Sequence, residues 1–318
     1  MNPRKFLQFA GAALALIART ALAAESVAAD STVASDGSAQ FTTVQAAVDA
    51  APADRNEPFT IHVAPGKYKE VITVAAEKPF LRFVGDDADK TILTFDNFAD
   101  MPGPDGKKIG TRNTASAYLK ADDFAADKIT FQNTHGLGSQ ALAVSVTGDR
   151  CAFRHCRFLG WQDTVLVDKG RQYFEDCYIN GHVDFIFGAS TAYFKNCYIH
   201  CLGKGYITAA STPQDQPYGY VFDHCQISGA GSSLTYLGRP WRPYGSVTFL
   251  NCDMSDVVRP EGWNNWRNAE NEKTARYVEF NSTGPGANPS ARAGWSRQFT
   301  ADEAAAITPA AVLGDWTP

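Results

Sequence analysis

Two aspartates and two glutamines, Asp163, Asp184, Gln140 and Gln162, have the types and spacing that acid–base chemistry needs. Each aspartate lies seven residues after the cysteine of a recurring motif, and the glutamines are 22 residues apart. If each motif adds one stacked coil of chain, the two aspartates lie ~4.8 Å apart. At ~5 Å and an effective dielectric of about 20, two carboxylates repel by ~3 kcal/mol, or about two pKa units. One of them should therefore keep its proton and act as an acid beside a carboxylate that acts as base or nucleophile.

A non-catalytic explanation exists for the same spacing, because stacked aspartates also satisfy the backbone N–H groups of turns. Other chemistries have less support in the sequence. There is no G-x-S-x-G nucleophile elbow, no phosphate-binding P-loop, no G-x-G-x-x-G and no H-E-x-x-H zinc motif. We therefore expect neither a metal nor any other cofactor.

The recurring motif is F-x-x-C-x-Φ, where Φ is apolar, and it occurs five times between residues 150 and 256. Its cysteines are spaced by 21, 20, 28 and 27 residues: Cys156, Cys177, Cys197, Cys225 and Cys252. A period of this length, built from short strands, predicts an all-β fold, a parallel β-helix whose coils bury their faces only by stacking. A leucine-rich repeat lacks its leucine pattern here, and a β-sandwich would need more tight hairpin turns.

The β-helix hypothesis makes three structural predictions. One buried stack should contain Phe158, Ile179, Ile199 and Ile227. The cysteines should form an inward column of small apolar side chains, with one possible disulfide, for which Cys177 and Cys197 enclose the shortest loop. A helix over 41–51, with apolar residues at 44, 47, 48 and 51, should cap the N-terminal end of the solenoid.

The composition indicates an exported globular protein. The chain has 318 residues and a net charge of −5 without a basic stripe, which argues against nucleic acid as a partner. A basic start, an apolar run over 6–18 and a small-x-small site at 21–23 predict a signal peptide over 1–23. We expect a flexible lead-in over 24–40 and a single catalytic domain over 41–318. No later apolar run approaches 18 residues, so we expect no membrane span.

A cluster of aromatic and cationic residues lies near the C-terminal end of the repeats, in Tyr236-Leu-Gly-Arg239-Pro-Trp241 and Glu261-Gly-Trp263-Asn-Asn-Trp266. Tryptophan is often buried, but its ring faces also stack on sugars. Arg239, between a glycine and a proline, should be held in a loop, where its guanidinium could pair with a carboxylate.

The motifs Gly160-Trp-Gln-Asp-Thr164, Val183-Asp-Phe-Ile-Phe-Gly188 and Tyr236-Leu-Gly-Arg-Pro-Trp241 resemble those of the pectinesterase (pectin methylesterase) family, in its short, secreted bacterial form. The resemblance extends over about residues 40–318. It implies a right-handed parallel β-helix, and hydrolysis of the methyl esters of galacturonate in pectin without a metal. We expect a monomer that acts on methyl-esterified homogalacturonan outside the cell or in the periplasm.

The resemblance also implies a role for each matched residue. Asp184 matches the nucleophile, and Asp163 matches the general acid that later serves as base. Gln140 and Gln162 match the amide donors to the oxyanion, and Arg239 matches the cation that keeps the nucleophile ionised. Aromatic positions that line the substrate groove are matched by Phe187, Trp241 and Trp266. One departure is Leu166, which stands where the family commonly has a groove aromatic.

Two other functions remain open on the same fold. A glycoside hydrolase or a lyase would cleave the pectin chain itself, and two carboxylates ~5 Å apart also suit a retaining glycoside hydrolase. A polysaccharide-binding solenoid without catalysis would not need both aspartates and Arg239. The glutamine pair favours an acyl oxyanion, and therefore the esterase.

Overall fold

The strands pair in the register that the repeat predicts, and they wind residues 28–318, which the computed structural model describes, into a parallel β-helix. One 11-stranded sheet consists of β1 Ser31–Val33, β2 Phe59–Val63, β5 Leu81–Gly85, β8 Ala125–Asp127, β11 Cys151–Arg154, β14 Arg171–Glu175, β16 Thr191–Lys195, β18 Tyr220–Asp223, β21 Ser246–Leu250, β23 Arg276–Phe280 and β24 Arg297–Gln298. The 13-stranded sheet consists of β3 Gly66–Lys69, β4 Ile72–Val74, β6 Thr91–Phe95, β7 Ala117–Leu119, β9 Thr130–Asn133, β10 Val144–Val146, β12 Arg157–Leu159, β13 Val165–Val167, β15 Tyr178–Gly188, β17 Tyr198–Ala210, β19 Gln226–Gly229, β20 Thr235–Pro240 and β22 Asp253–Met254. The long strands β15 and β17 join two ladders of this second sheet.

Like residues stack on like residues inside the solenoid. The predicted stack is confirmed, because Phe158 pairs with Ile179, Ile179 with Ile199, and Ile199 with Ile227 in parallel register. A second column consists of the motif phenylalanines Phe153, Phe174, Phe194, Phe222 and Phe249. Their rings are nearly parallel, with centroids 4.8, 4.6, 4.5 and 4.5 Å apart. Neither column could be buried by one coil alone.

The backbone conformation explains why a polar residue precedes each motif cysteine. All five of these residues have left-handed backbone angles, with φ between 50° and 54°: His155, Asp176, Asn196, His224 and Asn251. Asn, Asp and His are the non-glycine residues that tolerate this region best. The polar column therefore marks the turn at which every coil changes direction.

The suggested Cys177–Cys197 disulfide is wrong, because all seven cysteines are free and buried. Side chains on neighbouring coils project in parallel, which leaves their Cβ atoms roughly 4.8 Å apart, farther than a disulfide ordinarily spans. Each of the five motif thiols instead faces a backbone carbonyl of a preceding coil. Cys177 Sγ lies 3.5 Å from Phe153 O, and Cys197 Sγ lies 3.5 Å from Phe174 O.

The N-terminal segment differs in part from its predicted layout. The predicted signal peptide, 1–23, lies outside the described residues. Within the predicted flexible lead-in, 24–40, residues 31–33 are instead ordered as β1, which pairs in register with β2 and buries Ser31 and Val33. This three-residue strand is too short to show a period against its small, polar neighbours. The helix α1, Val44–Ala50, lies within the predicted 41–51 range, and Thr43 is its N-cap.

The outer face of the 11-stranded sheet is partly covered by the C-terminal segment. Two short helices, α2 Ala301–Ala305 and α3 Pro309–Leu313, follow β24. Val312 and Leu313 pack there against Tyr173 and Tyr193. Between residues 28 and 318, no helix has both the length and the apolar character that a bilayer crossing requires.

Candidate active site

Asp163 and Asp184 occupy equivalent positions on successive coils. Asp163 lies between β12 and β13, and its backbone N–H donates to Val183 O at 3.0 Å. Asp184 lies in β15, where the pairing with β17 shifts register between Val183 and Ile186. Both aspartates have left-handed backbone angles, with φ of 64° and 52°. Such irregularities re-aim a side chain out of the regular pleat, so both carboxyl groups reach the same cavity.

The Arg239 guanidinium donates two hydrogen bonds to the Asp184 carboxylate. Nε donates to Oδ1 at 2.9 Å and Nη2 donates to Oδ2 at 2.7 Å, a bidentate pair. The guanidinium lies between two aromatic rings, with Cζ 3.8 Å from the ring centroid of Tyr206 and 3.7 Å from that of Trp266. Because the rings cover both its faces, the guanidinium is restricted to the plane in which it meets Asp184.

The surroundings act differently on the pKa values of the two aspartates. Burial, together with the neighbouring Asp184 carboxylate, raises the pKa of Asp163 well above its usual range, and Arg239 offsets this only in part. Burial also raises the pKa of Asp184, but the hydrogen bonds and charge of Arg239 act directly on that carboxylate and oppose the rise. These surroundings therefore favour the proton on Asp163 over Asp184, because Arg239 stabilises the ionised form of Asp184 directly.

One cavity of about 560 Å³ brings together all eight residues to which the resemblance assigns a catalytic or substrate-binding role. The described residues that line it are Ile109, Gly110, Thr111, Arg112, Asn113, Gln140, Gln162, Asp163, Asp184, Phe187, Ala209, Arg239, Trp241 and Trp266. Gln140 and Gln162 lie on adjacent coils, since Ala141 N donates to Gln162 O at 3.1 Å. Both glutamines line the cavity, and within residues 28–318 neither side-chain amide makes a hydrogen bond.

The aromatic residues of the cavity have different surroundings. Phe187 meets Trp241 edge to face, with ring centroids 6.0 Å apart. Leu166 is buried in the same apolar cluster, so it contributes to the packing around these rings. Trp266 lines the cavity and also stacks on Arg239. Trp263, three residues earlier, lies in the core instead, with 2% of its surface exposed.

Sequence reasoning missed one wall of the cavity, residues 109–113. Arg112 in this wall donates to Asp168 through Nη1 at 2.5 Å and Nη2 at 3.2 Å, which ties the segment to the chain just after β13. The wall belongs to a connection of 21 residues between β6 and β7, which contains no strand. Its length was the available signal, since long connections in compact folds are commonly functional.

Comparison with known proteins gives a consistent result. The family model described as Pectinesterase matches residues 30–315. Pectinesterase 31 of Arabidopsis thaliana is 44% identical over 279 residues, which cover 86% of this chain and 88% of that protein.

Solved structures agree with this match. The pectin methylesterase from carrot superposes with a TM-score of 0.85 at 33% identity, covering 92% of this chain and 96% of the carrot chain. Pectin methylesterase PemA from Erwinia chrysanthemi superposes with a TM-score of 0.82 at 31% identity, covering 92% and 99%. With its parallel β-helix and its paired aspartates in one cavity, the chain belongs to the pectinesterase family.

Proposed function

We propose that the protein hydrolyses the methyl esters of galacturonate units in pectin and releases methanol and pectate. One observation carries this assignment. Two buried aspartates share a cavity, and the bidentate Arg239 pairs with Asp184 alone. The cavity thus offers a carboxylate and a carboxylic acid side by side, which is what acyl transfer through an Asp nucleophile requires.

In the first half of the proposed reaction, an Asp184 oxygen attacks the ester carbonyl carbon. The carbonyl electron pair moves onto oxygen, and the side-chain amides of Gln140 and Gln162 stabilise that oxyanion without changing the charge of the site. The tetrahedral intermediate then collapses, the bond to the methoxy group breaks, and Asp163 gives its proton to the departing methanol. The products of this half are methanol and a mixed anhydride on Asp184.

In the second half, water hydrolyses the anhydride. Asp163, now a carboxylate, takes a proton from the water as it attacks the galacturonyl carbonyl carbon. The bond to Asp184 breaks, and the galacturonate leaves with a free carboxyl group. Arg239 stabilises the regenerated Asp184 carboxylate, and Asp163 again holds a proton, so the site returns to its starting state.

The experiment that tests this proposal measures three products from methyl-esterified pectin. We expect methanol, with no new reducing ends and no unsaturated products absorbing in the ultraviolet. Reducing ends without methanol would identify a glycoside hydrolase, and unsaturated products would identify a lyase. Binding without any product would identify a non-catalytic solenoid.

Trp241 should contribute to binding of the polymer through its apolar surface. Trp241→Ala is expected to lower kcat/KM for methylated pectin by an amount equivalent to about 1–3 kcal/mol, the scale of one lost large apolar contact. Steady-state kinetics on pectin measure this loss. Trp316→Ala is the matched control, because Trp316 is partly buried in the C-terminal cluster and does not line the cavity. Wild-type kinetics for Trp241→Ala would exclude Trp241 from the groove.

The proposal includes export of a monomer. The basic start and apolar run of residues 1–23 support removal of a signal peptide. All the residues assigned to the reaction come from one chain within the predicted domain, 41–318, so a monomer suffices. N-terminal sequencing of protein recovered from the periplasm or medium should begin at Ala24, and light scattering should give the mass of one chain. Recovery with residues 1–23 still attached would contradict the export.

A further inference from the structure

The inward column of phenylalanines ends on a buried charge. Phe249 is the last phenylalanine of the column, and its in-register neighbour on the next coil is Glu279 of β23. Only 3% of the Glu279 side chain is exposed. A carboxylate at the end of an aromatic column is unfavourable unless it is paired, and by packing alone the position suits another apolar side chain.

Arg292 supplies the partner of Glu279. Its Nε donates to Oε1 at 2.9 Å and its Nη2 donates to Oε2 at 3.0 Å, with 3% of the Arg292 side chain exposed. Trp263 Nε1 also donates to Oε1, at 3.0 Å. A fully buried ion pair contributes little net stability compared with apolar residues of similar volume. Stability alone therefore does not account for this arrangement.

Other hydrogen bonds of Arg292 go to two further parts of the chain. Nη2 also donates to Gly286 O at 2.6 Å, and Nη1 binds the segment that ends at Trp266, which we define as residues 259–266. Nη1 donates to Pro260 O at 3.1 Å, and Ala293 N donates to Glu261 O at 2.9 Å. Gly262 has φ of 65°, and a Cβ there would lie 2.6 Å from Arg292 Cδ. The segment thus packs directly on the arginine side chain.

The same segment borders the strand that carries Arg239. Leu237 N donates to Gly262 O at 2.7 Å, and Asn264 N donates to Gly238 O at 3.1 Å. Asn264 Oδ1 then accepts from the backbone N–H of Trp266 at 3.0 Å, which orients the turn that places the Trp266 ring over Arg239. An unbroken series of contacts therefore connects the buried ion pair to the guanidinium that grips Asp184.

We propose that Glu279 and Arg292 are positioning residues for the active site. They hold residues 259–266 so that Trp266 confines Arg239 against Tyr206, and Arg239 in turn keeps Asp184 ionised. This inference rests on the proposed function, in which Asp184 is the nucleophile. The competing explanation is that the pair only closes the C-terminal end of the solenoid core.

The test replaces the ion pair by apolar residues, in the double variant Glu279→Met with Arg292→Met. Methionine fills irregular space well, but the variant leaves the Trp263 N–H and the Pro260 carbonyl without these partners, so we expect it to fold with a lower melting temperature than the wild type. We expect kcat/KM on pectin to fall about 10- to 100-fold, the scale of a small misplacement of a reacting group. A loosened Arg239 stabilises the Asp184 carboxylate less, so the acid limb of the kcat/KM profile should move about one pH unit higher.

A control pair, a second variant and an independent measurement accompany this test. The Arg150–Asp123 pair is also bidentate but lines a different groove, so Arg150→Met with Asp123→Asn should leave the pH profile unchanged. Arg292→Lys keeps the charge but not the set of directed hydrogen bonds, and it should shift the acid limb in the same direction if the double variant does not fold. The carboxyl pKa of Asp184, measured by ¹³C NMR, should rise in the same variants independently of turnover.

The inference is overturned if the folded double variant keeps the acid limb of the wild type and the Asp184 titration does not change. The same result for Arg292→Lys overturns it if the double variant does not fold. The proposed function fails separately, if wild-type protein releases no methanol from pectin. In that case the NMR titration of Asp184 still decides whether the buried pair positions Arg239.

Discussion

Asp184→Asn should abolish methanol release, lowering kcat by about 10⁴-fold or more, the scale for removal of an essential catalytic group. The reason is chemical, because an amide is a poor nucleophile, while its shape nearly matches the carboxylate. The fold should persist: asparagine tolerates the left-handed backbone at this position, and its amide oxygen can still accept a hydrogen bond from Arg239. Methanol release from pectin and the melting temperature measure the two effects.

Asp176→Asn is the matched control for this prediction. Asp176 has φ of 53°, close to the 52° of Asp184, but it lies at the turn before Cys177 and does not line the cavity. Asparagine already occupies the equivalent turn position at Asn196 and Asn251. Asp176→Asn should therefore keep wild-type activity. Substantial turnover by Asp184→Asn, with deamidation excluded by mass spectrometry, would remove Asp184 from the role of nucleophile.

Asp163→Asn should spare ester binding and slow the departure of methanol by about 10²- to 10⁴-fold, the usual contribution of general acid catalysis. Burial and the Asp184 carboxylate raise the pKa of Asp163, which favours the protonated form that a general acid needs. The basic limb of the wild-type pH profile should reflect loss of that proton, and the variant should lack this limb. The acid limb, where Asp184 becomes protonated, should remain.

The choice of leaving group separates the two aspartates. An ester with a low-pKa alcohol, such as the p-nitrophenyl ester of galacturonate, needs little protonation as it departs. It should restore the formation of the acyl-enzyme in Asp163→Asn, seen as a burst of p-nitrophenol, and it should leave Asp184→Asn inactive. If this ester rescues Asp184→Asn and not Asp163→Asn, the roles are reversed.

The repeat is what made the fold predictable from the sequence. A β-helix coil places equivalent residues one above another, so the spacing of the F-x-x-C-x-Φ motifs translated directly into strand register. The same register predicts that Asp163 and Asp184 lie side by side. Local rules were sufficient there because each coil contacts mainly its two neighbours.

The features that the sequence did not reveal depend on side-chain direction or on loops. Residue spacing placed Cys177 and Cys197 close together, but it did not show that their side chains run parallel. Trp263 and Trp266 looked alike in the sequence, yet a hydrogen bond to Glu279 holds one in the core and the other lies over Arg239. The wall at 109–113 has no repeat register at all, so only its folded path shows that it borders the aspartates.

Because the thiols are buried in one column, their reactivity reports local unfolding of the solenoid. Burial raises the pKa of Cys156 and Cys177 well above the usual range of a thiol, and all seven thiols are buried, so reagents cannot reach them while the coils remain stacked. Alkylating reagents should then label a cysteine only when its own coil separates from the next. Residue-resolved labelling rates would report where along the solenoid the stack first comes apart. If the chain is exported as proposed, coils that stack slowly in an oxidising compartment expose seven thiols that can pair wrongly.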